Sequence, residues 1–208
     1  MKFYLSSFMF GHEVEKLKSL LPPESKIGHI NNSQDSGDTV PEMMPKGQKQ
    51  EIEQLIRLGF NAESLDLRNY FGKENKLREK LTHLDGVWVS GGNTFVLRQA
   101  MRLSGFDILF DELRLRNDFL YAGYSAGICI LCDSLKYIQH VDDPDFFPYQ
   151  SIKKAIWEGL HVFNYGLLPH YHSNHHESAA IELDVQACIE NKWLFKALKD
   201  GEVIIMDE

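Results

Sequence analysis

Ser125 lies between Gly123 and Gly127 in the stretch YAGYSAGICIL, residues 121–131. Small residues on both sides suit a sharp strand-to-helix turn that holds a hydroxyl at the mouth of a sheet, where it can act as a nucleophile. The same spacing suits a tight connection in which Ser125 merely caps a helix. A serine hydroxyl becomes a good nucleophile only when a base takes its proton. His170, in GLLPHYH, is the candidate base, and an acid should orient its ring. The Asp142–Asp143 pair falls between the serine and the histidine in chain order, as in the α/β-hydrolases. The oxyanion of such a reaction needs two backbone N–H groups. Ala126 would supply one. Gly91 or Gly92 of SGGN would supply the other, because glycine lets a backbone approach closely. Taken alone, SGGN is also a plain turn in which Asn93 or Thr94 caps the next helix. Asn93, Thr94 and His172 are the candidates for substrate contacts.

Other reactive residues fit this chemistry less well. Five of the nine histidines fall between Glu158 and Ser178, among them His172, His175 and His176. His172 and His176 would share a helix face and invite a zinc reading. No H-E-x-x-H accompanies them, so neither a metal nor any other cofactor is expected. Cys129 and Cys132 form a C-x-x-C inside an apolar run, with Cys188 the one other cysteine. Without a second pair they read as buried small hydrophobes. Three cysteines make no disulfide framework, which points to a reducing, cytoplasmic setting.

Several elements must position these groups. Apolar runs at Phe3–Ser6, KIGHINN, SLDL, GVWVSGG, FLYAG and EVIIMD read as strands. Helical spacing appears in GHEVEKLKSLL (Val14, Leu17, Leu20, Leu21, stopped by Pro22), in KGQKQEIEQLIRLGF (Ile52, Leu55, Ile56), and in KENKLREKLTHL. It recurs in NTFVLRQAMRLSG, FDILFDELRLRND and HESAAIELDVQACIENK. The alternation β-α-β-α predicts a mostly parallel sheet covered on both faces. In such sheets ligands sit beyond the carboxyl ends of the strands, where Ser125, SGGN and His170 all fall. SLKYIQHVDDPDFFPYQS, with two prolines, reads as a strand followed by an irregular loop. The chain of 208 residues, 43% hydrophobic and 25% charged, is expected to form a single domain over residues 1–208. A net charge of −8 without a Lys/Arg run argues against nucleic acid. No apolar run is long enough for a bilayer.

GVWVSGGNTFVLRQ, YAGYSAGICIL and GLLPHYHS together resemble peptidase family S51, the dipeptidase E (aspartyl dipeptidase) and cyanophycinase-like serine peptidases. The resemblance covers nearly the whole chain. It implies an α/β, flavodoxin-like three-layer sandwich related to class I glutamine amidotransferases, which carry cysteine at the elbow where this chain has Ser125. It implies a serine-type dipeptidase acting on short peptides without a cofactor, as a monomer or homodimer. Ser125 would be the nucleophile and His170 the base. The acid would fall in HVDDPD, at Asp142 with Asp143 as the alternative; some members carry a glutamate near the last strand, where Asp200 or Glu202 would lie, and these rank below Asp142. Dipeptidase E carries an arginine for the substrate aspartate in the segment matching HHESAAIEL. Here Ala179 or a neighbour stands there, and no arginine follows Arg116. An esterase or acyltransferase using the same site, and a non-catalytic binding domain of the same fold, are the rival readings.

Overall fold

Alternate residues of the central strands go to opposite faces, and two separate cores result. The computed structural model describes residues 1–35 and 46–207. Strands β1 (Lys2–Ser6), β2 (Lys26–Ile30), β3 (Asn61–Ser64), β4 (Gly86–Val89), β5 (Leu120–Tyr124) and β8 (Val203–Asp207) form one six-stranded sheet in the order β3-β2-β4-β5-β1-β8. Only β8 runs antiparallel to its neighbour. Phe3, Leu5, Val87, Val89 and Tyr121 enter one core. Tyr4, Trp88, Leu120, Ala122 and Tyr124 enter the other. This is the period of 2 expected of strands buried on both sides.

Helices cover both faces. The second core packs against α1 (Val14–Leu20) and α2 (Lys46–Arg57) through Leu17 and Leu55. The first packs against α3 (Glu74–Thr82), α4 (Thr94–Ser104), α5 (Phe106–Arg114) and α7 (Ser178–Asn191). A four-residue helix, α6 (Ala126–Cys129), follows β5 directly. Asn93 is the residue that caps α4: its side-chain oxygen accepts from Val96 N at 3.0 Å. No described helix is long and apolar enough to cross a membrane.

Three local expectations change. The third strand forms at Asn61–Ser64, three residues before SLDL. Asp66 accepts from the N–H of Arg68 at 2.9 Å and starts a 3-10 turn at Leu67–Tyr70, so the chain leaves the sheet. The strand expected in SLKYIQH is instead a 3-10 turn at Leu135–Ile138, capped by Ser134. A second, parallel pair, β6 (Gly166–Leu168) with β7 (Phe195–Ala197), was not foreseen. At three residues each, these strands are too short to show a period.

The cysteines hold this small sheet behind α6. Cys129 Sγ donates to Leu167 O at 3.4 Å, and Leu167 N donates to Cys132 Sγ at 3.3 Å. Burial pushes the Cys132 thiol up to about 12 and raises that of Cys129 as well, so both remain protonated and inert at neutral pH.

Candidate active site

β4 and β5 are neighbours in register, Val89 beside Gly123, so the turns that follow them lie side by side. Ser125 occupies the turn after β5 with φ 49° and ψ −116°, a backbone conformation that costs a side-chain-bearing residue of order 1–3 kcal/mol. Its side chain makes no capping hydrogen bond to α6, so the capping role does not explain the serine. The flanking glycines are explained by close approach. A Cβ at Gly123 or Gly127 would lie 2.5 or 2.3 Å from the Val89 carbonyl oxygen. At Gly91 a Cβ would lie 2.9 Å from that of Ser125. Only glycine lets SGG pack against the serine.

His170 arrives on β6, two residues after Leu168, and is 1% exposed. Asp200 arrives on the partner strand, three residues after Ala197, and β6 pairs Leu168 with Ala197. The small sheet thus brings the two side chains together. His170 Nδ1 lies 2.7 Å from Asp200 Oδ1. With a carboxylate as acceptor, Nδ1 carries the proton and Nε2 keeps its lone pair. Ser7, just beyond β1, fixes the pair: its Oγ accepts from His170 N at 2.9 Å and lies 3.1 Å from Asp200 Oδ1. Asp200 N donates in turn to Ser173 Oγ at 2.8 Å. Ser125 and His170 line one cleft of about 300 Å³ with Phe8, Gly91, Gly92 and Glu177. No hydrogen bond joins the Ser125 and His170 side chains among the described residues. Such contacts commonly tighten only when substrate is bound.

The structure does not bring Asp142 or Asp143 to His170. Both close on the start of α4, where unpaired N–H groups favour acidic partners. Asp142 Oδ2 accepts from Thr94 N at 2.8 Å. Asp143 O accepts from Asn93 Nδ2 at 2.9 Å, and Asp143 Oδ1 accepts from Asp145 N at 2.9 Å. Asn93 and Thr94 are engaged in the same joint and do not line the cleft. His172 stacks on Tyr171 at 4.0 Å, with its side chain 54% exposed, and is also outside the cleft. Glu202 accepts from Lys199 N at 2.8 Å within its own turn.

Glu51 escaped sequence reasoning altogether. In KGQKQEIEQLIRLGF it looks like a solvated helix charge, yet it is 3% exposed. Its carboxylate accepts from Trp88 Nε1 at 3.0 Å, Ser90 Oγ at 2.8 Å and Tyr124 OH at 2.8 Å, with His29 Nε2 at 3.0 Å. Burial alone would raise this carboxyl, but hydrogen bonds from His29, Ser90 and Tyr124 hold it below its ordinary value. Ser90 precedes Gly91 and Tyr124 precedes Ser125, so one carboxylate ties both turns to α2. No local pattern in the sequence signals this.

The His170 ring has a defined electrostatic setting. Asp200, Glu177, His175 and His176 face it. Burial lowers its pKa below 6.5, Asp200 opposes the shift, and His176 adds to it. The base form is therefore retained below pH 6.5. The acid limb of kcat/KM should have its midpoint below 6.5, and a limb centred above 7 would contradict this setting.

Comparison with known proteins bears on the family and the fold. The model of peptidase family S51 matches residues 46–208. An uncharacterized peptidase of Listeria monocytogenes is 33% identical over 123 residues, which cover 57% of this chain and 55% of that protein. One of Listeria innocua is 30% identical over 119 residues, 57% of this chain and 50% of its own length. The chain thus spans about half the length of the curated relatives it matches. The crystal structure of a Listeria monocytogenes protein named for peptidase E superposes with a TM-score of 0.75 at 22% identity, covering 100% of this chain and 98% of that one. That of a peptidase from an acI-B1 actinobacterium gives 0.65 at 14% identity, covering 99% and 83%. At these identities the two structures speak for the fold, an α/β sandwich with a mostly parallel central sheet.

Proposed function

The chain belongs to peptidase family S51, and from that premise we propose that it is a serine peptidase hydrolysing short peptides, with Ser125 as nucleophile, His170 as base and Asp200 orienting the base. The observation that carries this reading is the Asp200–His170 bond facing the cleft that holds a strained, uncapped Ser125. Ser125 Oγ attacks the scissile carbonyl carbon as His170 Nε2 takes its proton. Asp200 stabilises the imidazolium through Nδ1. The oxyanion is received by the N–H of Ala126 and that of Gly92 or Gly91. His170 then passes the proton to the leaving amine, and water, activated by the same histidine, releases the acyl group. A fluorophosphonate probe on purified protein, followed by a dipeptide library, tests the reading. Absence of labelling at Ser125 would favour a non-catalytic domain. Labelling with turnover of esters but not peptides would favour the esterase or acyltransferase reading.

The cleft also bears on substrate preference. A buried substrate carboxylate calls for a charge-assisted partner, usually arginine. Among the described residues, those lining the cleft include no lysine or arginine. Arg98, the nearest in sequence to GGN, is 4% exposed and committed: it pairs with Asp107 Oδ2 at 2.9 Å and donates to Glu158 O at 2.7 Å. The kcat/KM ratio for Asp-Leu over Ala-Leu should therefore stay within about tenfold of unity at pH 7.5, and a ratio in the hundreds would refute this account of the cleft.

A further inference from the structure

Resting on the role proposed above for Ser125, we infer that Ser33 and Gln34 are positioning residues: they hold the Gly91–Gly92 peptide so that the Gly92 N–H, rather than that of Gly91, receives the oxyanion. Both follow β2 in a 3-10 turn at Asn32–Gln34. Ser33 is 3% exposed and grips the SGGN turn from one side. Its hydroxyl proton is shared between Gly91 O at 2.8 Å and Ser90 O at 3.1 Å, and its carbonyl accepts from Asn93 N at 2.9 Å. Gln34 Nε2 donates to Gly91 O at 3.1 Å. Gln34 Oε1 accepts from Asn31 Nδ2 at 3.4 Å, which sets the side-chain amide that way round. The Gly91 carbonyl thus accepts from both Ser33 and Gln34.

A trans peptide points its C=O and its N–H in opposite directions, and none of the described peptides is cis. With Gly91 O turned to Ser33 and Gln34, the Gly92 N–H points away from them. Ser125 lies on that other side. A Cβ at Gly91 would sit 2.9 Å from that of Ser125 and 2.6 Å from the Tyr124 ring, whereas one at Gly92 would sit 2.7 Å from Ser33 O. Among the described residues no protein acceptor takes the Gly92 N–H, and Gly92 lines the cleft with Ser125. A donor that is unused, aimed and fixed before substrate arrives is what an oxyanion requires. The hold matters because this peptide joins two glycines. With no Cβ on either side it can rotate, and half a rotation would set a carbonyl where the N–H should be. Gly92 sits at φ 141°, in the region that favours glycine, so side-chain sterics do not fix the peptide. Donors on the Gly91 carbonyl also polarise the shared amide and make its N–H a stronger donor. Glu51 anchors Ser90 and Tyr124; the peptide between the glycines is left to Ser33 and Gln34.

Steady-state kinetics of Gln34→Met and Ser33→Ala on a dipeptide, with the affinity of each variant for a peptide aldehyde, test this role. Gln34→Met should lower kcat about tenfold, Ser33→Ala more, and the pair about 10²–10³-fold, the cost of one oxyanion donor. KM should stay within about threefold of wild type. The aldehyde forms a tetrahedral adduct with Ser125, so its affinity should fall by the same factor as kcat/KM, which a merely structural role would not produce. Ser33 is buried, so Ser33→Ala should cost stability as well. Gln34 is exposed, so Gln34→Met should melt with the wild type and report the effect in a native protein. In wild type phosphonylated at Ser125, the Gly92 amide proton should move downfield in the NMR spectrum while that of Gly91 stays, and the move should shrink in Gln34→Met. Unchanged kcat in both variants, or a loss confined to KM, would overturn the positioning role. A shift at Gly91 in place of Gly92, or at neither, would overturn the choice of donor. A wild type that neither labels at Ser125 nor hydrolyses peptides would overturn the proposed function, and the positioning role with it. One that does both, while the variants match it, would leave the proposed function standing and remove Ser33 and Gln34 from the mechanism.

Discussion

Ser125→Ala should lower kcat by on the order of 10⁶, the scale reached when a serine nucleophile is removed from a working triad. The melting temperature should stay within about 2 °C of wild type, as expected when a hydroxyl that caps nothing is removed at a cost of about 0.5 kcal/mol. The reason for the second expectation is local. Alanine meets the same unfavourable φ as serine, and the lost hydroxyl caps nothing on α6. The two measurements together are diagnostic, since loss of activity with loss of fold says little about chemistry. Retention of turnover within tenfold of wild type, in a protein that still melts cooperatively, would remove Ser125 from the mechanism.

Asp200→Asn is expected to lower kcat by about 10⁴. The asparagine amide can donate to His170 Nδ1, which moves the ring proton to Nε2. A histidine protonated at Nε2 cannot take the serine proton. The same substitution at Asp142 should change kcat by less than tenfold, because its carboxylate meets Thr94 N rather than the histidine. Asp142→Asn should act on stability instead. Desolvation raises the Asp142 carboxyl from 3.8 to about 7, opposed by the hydrogen bond from Thr94. A carboxyl whose folded pKa lies above its unfolded value contributes stability below pH 3.8 and loses it as pH rises through 7. Asparagine keeps the acceptor for Thr94 without the charge. The variant should therefore match wild type at pH 4 and exceed it at pH 8 by about 1 kcal/mol, a rise of about 2–4 °C in Tm. This figure is below the full linkage value because the Asp142 residue is only half-buried. A severe loss of kcat in Asp142→Asn with a mild one in Asp200→Asn would restore the acid that chain order suggests.

What the sequence determined by itself was local. Continuous apolar runs such as GVWV and FLYAG marked the strands of a parallel sheet, because buried strands need no polar alternation. The glycines around Ser125 and before Asn93 marked the two turns, because only glycine allows backbones to approach so closely, as the Val89 carbonyl shows at Gly123 and Gly127. The resemblance to family S51 rested on those same stretches. The carboxylate beside His170, and with it the acid we propose, came only from the tertiary structure. Asp142 had the better position in chain order, but triad geometry is set by which strand ends meet in space. β6 and β7 are three residues each, below the length at which periodicity is visible, and their pairing carries Asp200 to His170. Glu51 was hidden for a related reason. A glutamate on an amphipathic helix looks solvated until Trp88, Ser90 and Tyr124, from two other strands, turn their donors toward it. Local propensity reports the period of an element and the residues of a turn; it holds no record of the donors that folding brings to a side chain from elsewhere in the chain.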